Sequence, residues 1–233
     1  MADIIELPLL PAVGRPTVAD QVFAELRRQI LSLELPPGTR LSEVEVARQM
    51  GVSRQPVRDA FYRLSKLGFL LIRPQRATTV SLISPKAVFQ ARFIRTAIEI
   101  ETARAACASL TARDIDALAR ILEDQEVAVA RADKGLFHEL DDRFHKEICT
   151  RSGHGFAWDL ILENKAHMDR VRMLSLSFAL HVAYQDHLEM LAALTERDEA
   201  RAITAVRDHL SRILGQIARI HADNRDLFAE EDA

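Results

Sequence analysis

The residue types best suited to chemistry in this chain are histidines, and all eight lie after residue 137. The densest grouping is in "DDRFHKEI", where Asp141 and His145 stand four apart. On a helix that spacing puts both side chains on one face, about one turn apart. A carboxylate and an imidazole so placed can share one divalent metal ion. "QDHLEML" then offers His187 and "VRDHLSRIL" offers His209, on two later stretches with apolar neighbours at helical spacing. One Asp and three His from core-facing positions suit Zn²⁺, Ni²⁺, Mn²⁺ or a similar borderline ion. The same spacing also occurs among surface histidines and satisfied core histidines, so by itself it leaves both readings open.

A second chemistry-bearing stretch is "GVSRQPVRDAFYRLSKLG", residues 51–68. On a helical wheel Val57, Ala60, Phe61, Leu64 and Leu67 fall on one arc, and Arg54, Gln55, Arg58 and Tyr62 on the opposite one. A solvated face is the ordinary meaning of two exposed arginines. Here, however, residues 1–82 carry 11 Lys+Arg against 8 Asp+Glu in a chain of net charge −3. A basic patch in an otherwise acidic protein points to a polyanionic partner. The planar fork of arginine makes two hydrogen bonds to guanine or clamps a phosphate. Ser53 and the free N–H groups of the first turn add a phosphate site.

The elements that must position these groups are legible in outline. From Thr17 to Leu33, apolar residues recur at helical spacing, and "LPPGTR" breaks the pattern. "LSEVEVARQM" predicts a short helix, with Ser42 and Glu45 as a capping box and Gly51 just past its end. Ser53 opens the next helix and Gly68 closes it, so a tight turn joins two helices. "FLLIR" and "TTVSL", separated by "PQRA", predict a small basic-tipped hairpin. We therefore expect a loose arm over 1–16 and a winged helix-turn-helix over 17–83. Ser84 and Pro85 form a helix start, and no strand signal follows. Helices are expected over about 85–109, 113–131, 135–151, 156–174, 177–195 and 198–222, with caps at Thr111 (boxed with Asp114) and Asp198. The fold class is mainly α: a winged helix-turn-helix followed by an all-α antiparallel bundle over 84–233.

"LPPGTRLSEVEVARQMGVSRQPVRDAFYRLSKLGFL" resembles the DNA-binding domain of GntR-type bacterial transcription regulators. The resemblance covers residues 18–82. It implies that Arg54, Gln55 and Arg58 read a double-stranded DNA operator and that the wing reaches the minor groove through Arg76 and Gln75. The family's second helix often carries Arg where this chain has Val44, and its wing usually has Gly where this chain has Ala77. The bundle resembles the FadR C-terminal (FCD) domain in "RTAIEIETARAA", "DDRFH", "DHLEML" and "RDHL". That resemblance implies a metal held by Asp141, His145, His187 and His209. It also implies a small organic acid effector held against the metal by Arg95, for which Arg143, Arg170 and Arg172 are alternatives. Arg95 can equally pair with Glu99 at i+4.

The expected function is that of a dimeric, ligand-responsive transcription regulator, a repressor or an activator. A metal-dependent enzyme is the rival, because Asp plus three His with an open position can activate water. No H-E-x-x-H motif and no nucleophile elbow support it. A regulator with a purely structural metal is the third reading. Cys107 and Cys149 give no disulfide framework, the N-terminus lacks a basic signal-peptide start, and no apolar run has membrane-spanning length. A cytoplasmic homodimer with no membrane partner is expected.

Overall fold

The computed structural model describes residues 16–73 and 76–230. Two compact units are present. One takes in the chain up to Arg28 with Arg40–Thr79; the other takes in Gln29–Thr39 and everything from Val80.

In the first unit, α1 (Val18–Leu31) continues into the second unit, while β1 (Arg40–Leu41), α2 (Glu43–Met50), α3 (Arg54–Lys66), β2 (Leu70–Leu71) and most of β3 (Thr78–Val80) follow in order. Val57, Ala60, Phe61 and Leu64 are buried along one side of α3, as the wheel predicts, whereas Leu67 on the same arc is the C-cap and 37% exposed. Arg63, near the end of that helix, donates to Asp20 at 2.9 Å and lies 4.0 Å over the Phe23 ring, tying α3 to α1. Gly51 ends α2 in the left-handed conformation (φ 65°), which a side chain rarely adopts, and the chain turns directly into α3.

Two local expectations differ from what is seen here. Ser42 stands at the α2 N-cap but makes no side-chain cap bond, and the Glu45 carboxylate that would complete the box is held instead by Arg48 (2.6 Å) and Gln49 (2.7 Å) on its own helix. The "LPPGTR" break also ends in a strand. β1 pairs antiparallel with β3 (Arg40↔Thr79, Leu41↔Thr78), so the sheet has three strands in the order β1-β3-β2.

The second unit is built from α4 (Pro85–Ser109), α5 (Ala112–Ala130), α6 (Lys134–Arg151), α7 (Gly155–Glu196) and α8 (Glu199–Asp223), with a 3₁₀ turn at Arg225–Leu227. The expected caps form at its helix starts. Ser84 accepts from Ala87 N, Thr111 and Asp114 make a reciprocal box, and Asp198 accepts from Arg201 N. The expected break near residues 174–177 is absent, and α7 runs unbroken for 42 residues, about 63 Å. "MLSLSFAL" holds neither Gly nor Pro, and the Ser175 hydroxyl bonds back to Arg172 O at 2.9 Å without leaving the helix.

α4, α7 and α8 pack together, and α5 and α6 close over α7. Leu118, Phe137, Phe144, Met190 and Leu210 lie in the larger core cluster; each fully buried ring or leucine contributes roughly 1.5–3 kcal/mol by leaving water. A second cluster joins Val88, Val171 and Ile213 to Ile83 and Phe228. There Ile83 bridges in parallel to Phe228, with Ile83 N donating to Leu227 O (2.8 Å) and Ala229 N to Ile83 O (2.9 Å). The C-terminal segment is thereby fastened to the residues that enter α4. Among the described residues, no helix is long and apolar enough to cross a membrane.

Candidate metal centre and nucleic-acid interface

Three helices deliver the His/Asp set. α6 presents Asp141 and His145 one turn apart, α7 presents His187 and α8 presents His209. All four are buried, and one ligand atom from each lies within 4.8 Å of the others. The three imidazole centroids are 4.8–5.2 Å apart, so the rings surround a common point. Phe144 (4.9 Å) and Phe137 (6.3 Å) hold the His187 ring from the apolar side.

The donors fit a divalent ion on two independent grounds. First, Asp141 Oδ2, His145 Nε2 and His187 Nε2 are buried without a hydrogen-bond partner. A buried polar atom left unpaired costs about 1–3 kcal/mol, so three of them in one cluster call for something to satisfy them. Second, the other nitrogen of two rings is already engaged. His145 Nδ1 lies 2.7 Å from Glu99 Oε2, and His187 Nδ1 lies 2.8 Å from Gln125 Oε1. Each Nδ1–H donates outward and leaves an Nε2 lone pair facing the cluster, the arrangement that orients metal-ligating histidines. His209 has a weaker tie, with Nδ1 3.4 Å from Asp186 Oδ2.

Electrostatics keep the donors in ligating form. Burial pushes the His209 imidazole down to about 3, against the opposing pull of Asp186. Burial also lowers His187, against Asp141. Burial would raise the Asp141 carboxyl, but Arg172 and His187 outweigh it and hold the group well below the usual carboxylate range. The result is two neutral imidazoles and a charged carboxylate, the states a metal ion requires.

Arg95 makes the i+4 pair with Glu99 that its spacing allows. It is fully buried and pairs through Nε with Glu99, while Nη1 and Nη2 have no partner. Arg172 pairs with Asp141 through Nη2 and leaves Nη1 unpartnered. Both arginines line a cavity of ≈ 40 Å³ with Ser175, Asp186, His209 and Arg212. A water needs roughly 10–15 Å³ by this measure, so the space is that of a few waters or a compact carboxylate. Of the alternatives, Arg170 is buried and donates Nη1 to Ser81 O at 2.7 Å, away from this cavity.

Glu99, Gln125 and Asp186, which orient the rings, are absent from the expected set. Glu99 carried one signal, its i+4 relation to Arg95, which reads as a simple ion pair. Gln125 carries none, because its partner is 62 residues away.

On the first unit, Ser53, Arg54, Gln55 and Arg58 are all exposed on α3. Arg54 Nη2 and Arg58 Nε each lie 3.5 Å from Glu43 Oε2, with 59% of both side chains exposed, so the two guanidinium groups converge beside the start of α2. An exposed pair at that distance holds the arginines weakly, and a phosphate or base edge can displace Glu43. Arg76 is exposed near the start of β3; Gln75 lies outside the described residues. Val44, the departure on α2, is also exposed at 56%.

Comparisons with known proteins give two family matches. Residues 18–80 match the family model described as bacterial regulatory proteins, gntR family, and residues 90–212 match the FCD domain. The HTH-type transcriptional repressor RspR of Escherichia coli (strain K12) is 38% identical, with 92% of this chain and 95% of RspR covered. A probable D-xylose utilization operon transcriptional repressor of Paenarthrobacter nicotinovorans is 29% identical, with 86% and 88% covered. Among solved structures, E. coli McbR/YncC superposes with a TM-score of 0.74 at 24% identity, covering 89% of this chain and 98% of that one, a likeness of fold.

Proposed function

Because the chain belongs to the GntR family of bacterial regulatory proteins and carries the FCD domain, we propose that this transcription regulator is a sensor of a small carboxylate, held against a divalent ion in the helical bundle. Its relatives are named as regulators and repressors rather than enzymes. The observation that carries the reading is the convergence of orphaned groups: three unpartnered ligand atoms beside His209 on one side, and Arg95 Nη1 and Nη2 with Arg172 Nη1 nearby. A bound divalent ion supplies a Lewis-acidic position for a carboxylate oxygen. Arg95 and Arg172 then orient that carboxylate by charge-assisted hydrogen bonds, which are about twice as strong as neutral ones.

Coupling to DNA follows a population shift, in which the acid favours one arrangement of the DNA-binding units and differential affinity sets the effect. α7 is suited to carry it. Arg172 and His187 face the cluster, and Arg170 on the same helix holds Ser81 O, one residue beyond β3. An anisotropy titration on DNA flanking the protein's own gene tests both levels. A panel of organic acids is expected to change affinity by about 5–150-fold. Affinity no better than for random DNA at moderate salt would sink operator recognition, and indifference to every acid would sink the effector.

Two further outcomes follow. Arg58→Ala is expected to weaken operator binding by about 1–3 kcal/mol and relax base preference at one position; a uniform loss across all sequences would reassign Arg58 to a phosphate. A two-fold regulator reads two half-sites, and α4 and α7 leave Phe89, Phe93, Phe156 and Leu160 exposed. We assign this face to the homodimer. Phe93→Glu is expected to halve the mass seen by light scattering and weaken operator binding; an unchanged mass would move the interface elsewhere. Buried reduced thiols at Cys107 and Cys149 suit the cytoplasm, where such a regulator meets DNA.

A further inference from the structure

The α6 face that supplies Asp141 and His145 carries a second half. His138, Asp141, Asp142 and His145 fall at i, i+3, i+4 and i+7, a single stripe of two histidines flanking two carboxylates. Asp141 and His145 enter the cluster already described. His138 and Asp142 instead meet Asp169 of α7, and one ligand atom from each of these three again lies within 4.8 Å of the others.

This second group is filled by the chain itself. Lys165, one turn before Asp169 on α7, is 1% exposed. Its Nζ lies 2.8 and 2.7 Å from the two oxygens of Asp169 and 2.9 Å from Asp142 Oδ1. An ammonium contacted by three carboxylate oxygens occupies the place of a small cation. Burial would raise the Asp169 carboxyl, but Lys165 and then His138 outweigh it and hold it below its usual value. His138 Nδ1 is buried with no hydrogen-bond partner, so the third ligand is not consumed by the lysine. Two carboxylates against one ammonium leave a residual charge of −1, whereas a divalent ion would neutralise the pair. Without the lysine, the buried Asp169 carboxylate beside the half-buried Asp142 would recruit such an ion.

We infer that Lys165 is a built-in cation whose ammonium permanently takes the position of a second divalent ion and so keeps the bundle mononuclear. The inference rests on the reading that the Asp141–His145–His187–His209 cluster takes one ion. Two metal ions in neighbouring sites form the kind of centre that activates water for hydrolysis. A tethered ammonium prevents that chemistry in a protein whose task is to bind an acid and release it unchanged. It also limits each chain to one exchangeable ion, which gives a simple one-site response to metal supply.

The test is metal stoichiometry on full-length protein. Wild type and Lys165→Met are each purified in manganese, desalted and measured for Mn²⁺ per chain by plasma mass spectrometry. The expected result is one ion in wild type, two in Lys165→Met, and one again when Asp169→Asn is added. Equal stoichiometry in wild type and Lys165→Met overturns the inference. A wild type that holds none overturns the reading of the primary cluster instead, and a gain of one ion in Lys165→Met still supports the role of Lys165. A variant that loses helicity on chelation and regains it with manganese also supports the inference. One that stays unfolded in manganese counts against it, because an ion then cannot replace the ammonium.

Discussion

Chelating the metal from this protein is expected to lower its melting temperature by about 5–11 °C relative to the same sample with the ion at a hundred-fold excess over Kd. A ligand that binds only the folded state adds roughly 2.7 kcal/mol at that excess. For a chain of this size each kcal/mol moves the midpoint by about 2–4 °C. The effect should be visible because the ion-free cluster leaves three buried ligand atoms unpartnered, and binding satisfies them at once. His187→Ala removes one ligand from a fully buried position and is expected to abolish most of the metal-dependent shift. Arg95→Met leaves all four ligands in place, so the metal shift should survive while the further shift with a carboxylate is lost. Thermal melts of the three proteins, with and without Mn²⁺ or Zn²⁺ and then with an organic acid panel, give the answer. Identical wild-type melting with and without ion would sink the metal site. A metal shift with no acid-dependent change in any protein would leave the ion structural.

The parts of this architecture that declared themselves in sequence are those governed by local rules. The α3 stripe, the Ser84–Pro85 start and the Thr111–Asp114 box depend on residues within one or two turns, and all form as expected. Local rules also explain where reading fails. At Ser42 two local partners compete for Glu45, and the charged Arg48 and the Gln49 amide win over the cap. Near residues 174–177 two helices are expected, but the Ser175 hydroxyl bonds back to its own helix without interrupting it. The site divides along the same line. Asp141 and His145 are four apart and visible as a pair, whereas their meeting with His187 and His209 depends on how α6, α7 and α8 pack. Gln125 and Asp186 are chosen by that packing alone, and no spacing rule announces them.

Glu99→Gln is expected to destabilise the metal-free protein by about 3–5 kcal/mol, more than any single ligand substitution. Glu99 is 3% exposed and stands between two groups, pairing with Arg95 on its own helix and accepting from His145 Nδ1 on α6. Burial would raise its carboxyl, yet Arg95 and then His145 hold it below the ordinary range, so the charged form is the one the fold uses. Removing that charge leaves the wholly buried Arg95 guanidinium without its neighbouring carboxylate, the situation in which breaking a buried pair costs most. Urea unfolding at neutral pH measures the loss, and a change under about 1 kcal/mol would show that Arg95 finds its compensation elsewhere. The double variant Arg95→Met, Glu99→Gln separates the two duties of Glu99. It removes both charges, so much of the stability should return, as expected for residues that act as a coupled pair. Metal affinity should not return with it. A neutral amide is a weaker acceptor for His145 Nδ1–H than a carboxylate, and loss of such an orienting group typically costs about 10–100-fold in affinity. Stability restored while metal binding stays weak would place Glu99 in the machinery of the site. Recovery of both together would reduce it to the counter-ion of Arg95.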